Sequence, residues 1–174
     1  MTYIQEHPTL PPLEPIRHHE QLPTGSIELG RCLDTTEAND LYVLVKQHNH
    51  LSLLKTYITK LKTGEVYYCK QFDFPLKALS WFPKALEEFR KPPIEGGLHA
   101  GAMISKDTNV NGEMLAVGST TSGYFLINWS RNDRANDDDS YEPTEISLSD
   151  HFIYRLGFLD LWRSLGNRYD LGEL

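Results

Sequence analysis

Four stretches in the first half of the chain alternate apolar and polar side chains with a period of two, separated by short runs of turn residues. They are "SIELGRCL" (26–33), "LYVLVKQ" (41–47), "LSLLKTYITKL" (51–61) and "EVYYCKQFDF" (65–74). A period of two sends neighbouring side chains to opposite faces of an extended strand, and these runs are enriched in the β-branched and aromatic residues that suit a pleated surface. The links are turn chemistry: "DTTEAND" at 34–40, "HNH" at 48–50 and Thr63-Gly64, the last a short hairpin turn. A helix follows, on which Leu79, Phe82, Leu86 and Phe89 recur at core-facing spacing, and Pro92-Pro93 closes it after about Lys91. If that helix starts near Ser80, Pro83 falls in the first turn, where the N–H groups lack intrahelical acceptors anyway. Trp81 then lies about 100° from Phe82, at the edge of the stripe or against the other half of the chain.

The second half repeats the order. "GAMISKD" (101–107), "GEMLAVGSTT" (112–121), "GYFLINWSR" (123–131) and "TEISLS" (144–149) read as strands, linked by "TNVNG", Ser122-Gly123 and the acidic loop "NDRANDDDSYEP". One helix is expected from Ser149, whose hydroxyl can cap it, to Leu165, where Gly166 and Asn167 stop it. A shift of 74 residues lays Phe72 on Ile146, Phe74 on Leu148, Ala78 on Phe152, Leu79 on Ile153, Phe82 on Leu156 and Ala85 on Leu159. The expected architecture is α+β: two ββββα units, with antiparallel curved sheets and the helices packed between or against them. Residues 26–93 form the first unit and 94–174 the second, together one compact domain. Residues 1–25 hold five of the ten prolines and few periodic apolar positions, and read as an extended or disordered arm.

The 40% hydrophobic content of these 174 residues is sufficient for a real core. No apolar run reaches the ~20 residues that span a bilayer, and Met1 to Pro12 lacks the basic start and apolar centre of a signal peptide. The expectation is a cytoplasmic protein, or a nucleoid or nuclear one, that is not secreted and has no membrane partner. Cys32 and Cys69 have neither disulfide nor zinc spacing and read as buried thiols. Charge is unevenly spread over the net −7: residues 1–40 sum to −5, residues 41–91 to +5 and residues 92–174 to −7. Eight of the nine lysines lie in the middle stretch, which is either a solvated face or the seat of an anionic partner.

No nucleophile elbow, phosphate-binding glycine loop, zinc-protease motif or kinase set occurs, so no catalytic residue, metal or cofactor is assigned. His48 and His50 flank Asn49 and could share a face, yet no third ligand accompanies them. His18-His19 read as solvated, and Asp137–Asp139 as an acidic solvated loop rather than a calcium loop. Binding is better supported. Strand alternation puts Lys55 and Tyr57 on one face, Tyr68 and Lys70 with Phe72 and Phe74 on another, and Lys46 with Tyr42 and Leu44. Lysines interleaved with tyrosines suit single-stranded nucleic acid, since ammonium groups neutralise phosphates and flat rings stack on unpaired bases. The plainer alternative is a half-buried sheet with a lysine-rich solvent face.

"FDFPLKALSWFPKAL", with "EISLSDHFIYRLGFLDL" as a looser copy, resembles the strand-to-helix segment of the superfamily shared by Pur-alpha, the Whirly proteins and the transcriptional coactivator positive cofactor four. The resemblance covers roughly residues 26–166. It implies single-stranded DNA or RNA binding on curved sheets, interior helices and a homodimer as a frequent form. By position, Lys46, Lys55, Tyr57, Lys60, Tyr68 and Lys70 are the contact candidates in the first half, with Tyr124 and Asn128 in the second. The chain departs from the family pattern in its overall acidity and in the few basic residues on its second set of strands. The leading expectation is a non-enzymatic protein that binds single-stranded nucleic acid, DNA ahead of RNA, in replication, recombination or transcription. The alternative is an acidic adaptor or inhibitor that engages a basic protein by imitating DNA charge.

Overall fold

The computed structural model describes residues 9–136 and 140–174. β1 (Ile27–Asp34), β2 (Asp40–Gln47), β3 (His50–Leu61) and β4 (Gly64–Pro75) pair in chain order into one antiparallel sheet, followed by helix α1 (Ala78–Glu88) and a 3-10 turn at Pro93–Glu95. β5 (Thr108–Val110), β6 (Glu113–Ser119), β7 (Gly123–Asn132) and β8 (Pro143–Ser149) form a second sheet with the same order, followed by α2 (Asp150–Arg155) and α3 (Phe158–Asp170). The fold is therefore α+β, with two four-stranded antiparallel units that each lead into helix.

The helices cross over. α1 meets β6 of the second sheet and α3 meets β1 of the first. Tyr42 on β2 packs against Phe152 and Phe158, with ring centroids 4.5 and 6.0 Å apart, while Phe89 after α1 sits edge-on to Tyr124 on β7. One apolar core consequently draws on both sheets and all three α-helices. The stripe of Leu79, Phe82 and Leu86 lies in it as the helical spacing requires, with Phe89 and Trp81 partly buried at its margin.

Pro83 is not in the first turn of α1. The helix begins at Ala78, which places the proline in its interior, where it cannot donate to the Leu79 carbonyl. α3 answers the disturbance at this point: Gly166 packs so closely that a Cβ on it would lie 2.3 Å from the Leu79 oxygen. The indole of buried Trp162 donates to the Ala78 carbonyl at 3.0 Å. The helix expected to end at Leu165 is thus two helices. Gly157, at φ 88°, divides them, and α3 continues through Gly166 because the glycine serves the crossing rather than a stop. Ser149 caps α2 as expected, its hydroxyl accepting from Phe152 N–H at 3.1 Å.

The strand expected at 101–107 does not form. Ser105 takes the Val117 N–H with its side-chain hydroxyl, so only an isolated bridge, Ile104 to Gly118, joins this segment to β6. The edge strand lies instead within "TNVNG", where Asn111 and Gly112 adopt positive φ and close the β5–β6 hairpin.

From residue 9 onward the arm is docked rather than disordered. It crosses the face of the first sheet opposite the helices, where Ile16 is buried with Val43, Val45 and Leu54. This explains why β2 is apolar on both faces: Tyr42 and Leu44 look to the helices, Val43 and Val45 to the arm. Burying one such aliphatic side chain contributes roughly 1.5–3 kcal/mol. His18 and His19 are half-buried rather than solvated: His18 stacks on Tyr67, His19 lies tilted to the same ring, and the Tyr67 hydroxyl is 2.7 Å from His19 Nδ1. Cys32 and Cys69 are free, half-buried thiols. Among the described residues no helix is long and apolar enough to cross a membrane.

Candidate nucleic-acid interface

β2 stops pairing with β3 at Leu41–Thr56, but β3 and β4 continue together for five more pairs, to Leu61–Gly64. Residues 57–68 therefore project beyond the sheet as a two-stranded ribbon, closed by the two-residue loop Lys62-Thr63. At its base, Lys55 faces Lys70 and Tyr57 faces Tyr68 as cross-strand pairs, all on the face that the helices cover further along the strands. The two tyrosine rings stack with centroids 5.0 Å apart and 18° between their planes. Lys70 Nζ lies 5.7 Å from the centre of the Tyr57 ring. Lys55 Nζ lies 5.9 Å from that of Tyr42 and 3.6 Å from the Asp40 carboxylate, which partly offsets its charge. Tyr68 is 41% exposed and Lys70 is exposed, so a flat π-surface with a cation beside it faces solvent.

The other candidates do not join this group. Lys60 pairs with Glu65 and has the opposite strand parity, which puts it on the reverse side of the ribbon. Lys46 shares the parity of Tyr42 but pairs with Leu51 at the far end of β2, roughly 13 Å along the strand. Tyr124 is half-buried between β7 and the end of α1. Burial, with the Tyr154 hydroxyl and the Asp150 charge nearby, pushes its phenol up to about 12. Asn128 is fully buried and its amide is spent on interior partners: it donates to the Asp73 carbonyl and to Glu113, and accepts from Ser130 N–H. It presents nothing to a ligand at the surface.

Asn128 belongs to a buried polar seam between the two sheets. Glu113 Oε1 accepts from Arg131 Nε at 2.5 Å and from Asn128 at 3.0 Å, while Glu113 Oε2 lies 2.9 Å from His50 Nε2. Burial alone would raise the Glu113 carboxyl, but hydrogen bonds from His50, Arg131 and Asn128, with the Arg131 charge, outweigh it and hold the group at about 2. Arg134 closes the seam by bonding Asp73 at 2.6 Å. His48, by contrast, is exposed at a turn with φ 52°, so the two histidines do not converge on an ion. No trio of metal-binding side chains occurs among the described residues. Asp137–Asp139 lie outside them. The seam had one trace in the sequence, an acidic residue heading the apolar run of "GEMLAVG".

Comparison with protein-family models, with curated proteins and with solved structures gave no match.

Proposed function

We propose that the chain is a non-enzymatic protein that binds single-stranded nucleic acid, DNA ahead of RNA, with the base of the β3–β4 ribbon. The observation that supports this reading is the stacked pair Tyr57–Tyr68 beside the cross-strand pair Lys55–Lys70. The open face of Tyr68 offers a platform on which an unpaired base gains roughly 1–3 kcal/mol whatever its identity. Lys70, and Lys62 at the ribbon loop, supply cations for the flanking phosphates. The overall charge of −7 opposes long-range attraction of DNA, so the expected affinity is modest and rests on local contacts.

Fluorescence anisotropy with a labelled thymidine oligonucleotide tests the proposal. Affinity should fall with salt, with a logarithmic slope of about −0.7 for each phosphate neutralised. Tyr68→Ala and Lys70→Glu should each weaken binding about tenfold or more, while Asn128 and Tyr124 variants that remain folded should not. Absence of binding at low salt would remove this reading. It would leave the second, an acidic adaptor for a basic protein, which draws on the same net charge.

A further inference from the structure

The groove that holds the N-terminal arm grips it by the main chain. Leu10 N–H donates to the Ser130 carbonyl at 2.7 Å, Arg131 donates to the Pro11 carbonyl at 2.8 Å, and Arg134 to that of Leu13 at 2.7 Å. The Glu14 carbonyl accepts from Gln47 at 3.1 Å and Gln71 at 3.2 Å. Gln71 Oε1 then takes the Ile16 N–H at 2.7 Å. Gln47, Gln71 and Arg131 are buried beneath the arm and are held in place by Ser52, Asp73 and Glu113 of the body, which leaves further donor capacity turned toward the arm's carbonyls. Between its two ends the groove offers donors. Prolines 11, 12 and 15 fit such a track because they bring carbonyls without N–H groups that would need acceptors. Ile16 inserts below as the buried apolar anchor, with Leu22 packed at the margin of the same cluster. Main-chain gripping of a proline-rich strand with one side-chain pocket is how extended peptides are recognised.

We infer that this groove is a peptide-binding site for an extended, proline-rich segment with an aliphatic residue directly after a proline, and that residues 10–16 are its resident occupant. The arm is tied to β1 by a turn in which Ser26 N–H bonds the Pro23 carbonyl and Gly25 has φ 85°. The groove lies on the opposite face of the first sheet from Tyr57 and Tyr68, so it does not depend on the nucleic-acid reading.

A specific protease site placed at the Thr24-Gly25 turn of the full-length protein allows the arm to be severed. A fluorescein-labelled synthetic peptide of residues 9–22 is the probe. The severed protein should take it up at least tenfold more tightly than the uncut protein, whose own arm competes. An Ile16→Asp peptide should bind at least tenfold more weakly. A severed body that stays folded by circular dichroism yet ignores the peptide, or binds both peptides equally, overturns the inference. A body that unfolds on severing and regains its fold when the peptide is added supports it; one the peptide does not restore overturns it. An uncut protein that runs as a dimer with exchanged arms would give the groove to a second copy and overturn the assignment to a separate partner.

Discussion

At the crossing of α1 and α3, Pro83 and Gly166 act as a matched pair: the proline frees the Leu79 carbonyl and the glycine lets α3 lie against it. Gly166→Ala should gain about 1 kcal/mol of helix propensity. A methyl 2.3 Å from a backbone oxygen cannot be accommodated by a side-chain shift, so overpacking of about 1–3 kcal/mol, at the upper end here, should win. The expected net loss of about 1–2 kcal/mol is measurable by urea unfolding. Glu113 makes a second prediction. Its carboxyl sits at about 2 in the folded protein against an ordinary 4.5, so the folded state binds fewer protons than the unfolded one. The stability it contributes is fully present above pH 4.5 and is lost as the pH falls toward 2. Glu113→Gln should cost roughly 3 kcal/mol at neutral pH, since it strands the buried Arg131 charge. It should also flatten the acid limb of the stability profile in that window. Neither role could be read from the sequence, where Gly166 resembles a helix stop and Glu113 a polar residue at a strand start. Each is set by a neighbour more than ten residues away.

Among the elements, the hairpins were the most legible, because alternation and turn residues are local signals that the tertiary structure had no reason to override. The edge strand was misplaced because Ser105 substitutes its side chain for a backbone partner, which no periodicity reveals. The arm's docking had a signal after all in "LYVLV", a run apolar at every position, which a sheet with one solvated face does not need. At the ribbon, alternation paired Lys55 with Tyr57 and Tyr68 with Lys70 on their own strands and already set Lys60 on the opposite face, but only the β3–β4 and β2–β3 registers show that the first four share one side and that Lys46 lies at the other end. The arm makes its own prediction. Burial, with His18 and Arg31 nearby, holds the His19 imidazole below its ordinary value of 6.5, against the opposing pull of Glu20 and Glu28. The Tyr67 hydroxyl already accepts the His19 N–H, and a neutral Nδ1 can take its proton, an arrangement that protonation of the ring closes. Docking of the arm is therefore strongest above pH 6.5 and weakens as the pH falls below it. Limited proteolysis at pH 7.5 and 5.5 should show faster cleavage between residues 17 and 25 at the lower pH, and His19→Gln should reduce that difference.

For the whole molecule, the two halves are folded through one another. The main core is shared, with α1 reaching the second sheet and α3 the first, while the first half keeps only a small cluster of its own under the arm. The repeat in the sequence showed two similar units but not this exchange, because hydrophobic periodicity states which face is buried and never against what. The segment from Phe89 to Asp107 is then more than a connection. It holds two complementary pieces at a fixed effective concentration, and so makes folding a first-order process that dilution does not oppose. Cutting it near Gly97 should turn the same structure into a two-component assembly. Its urea midpoint should rise with protein concentration, whereas that of the intact chain should not move.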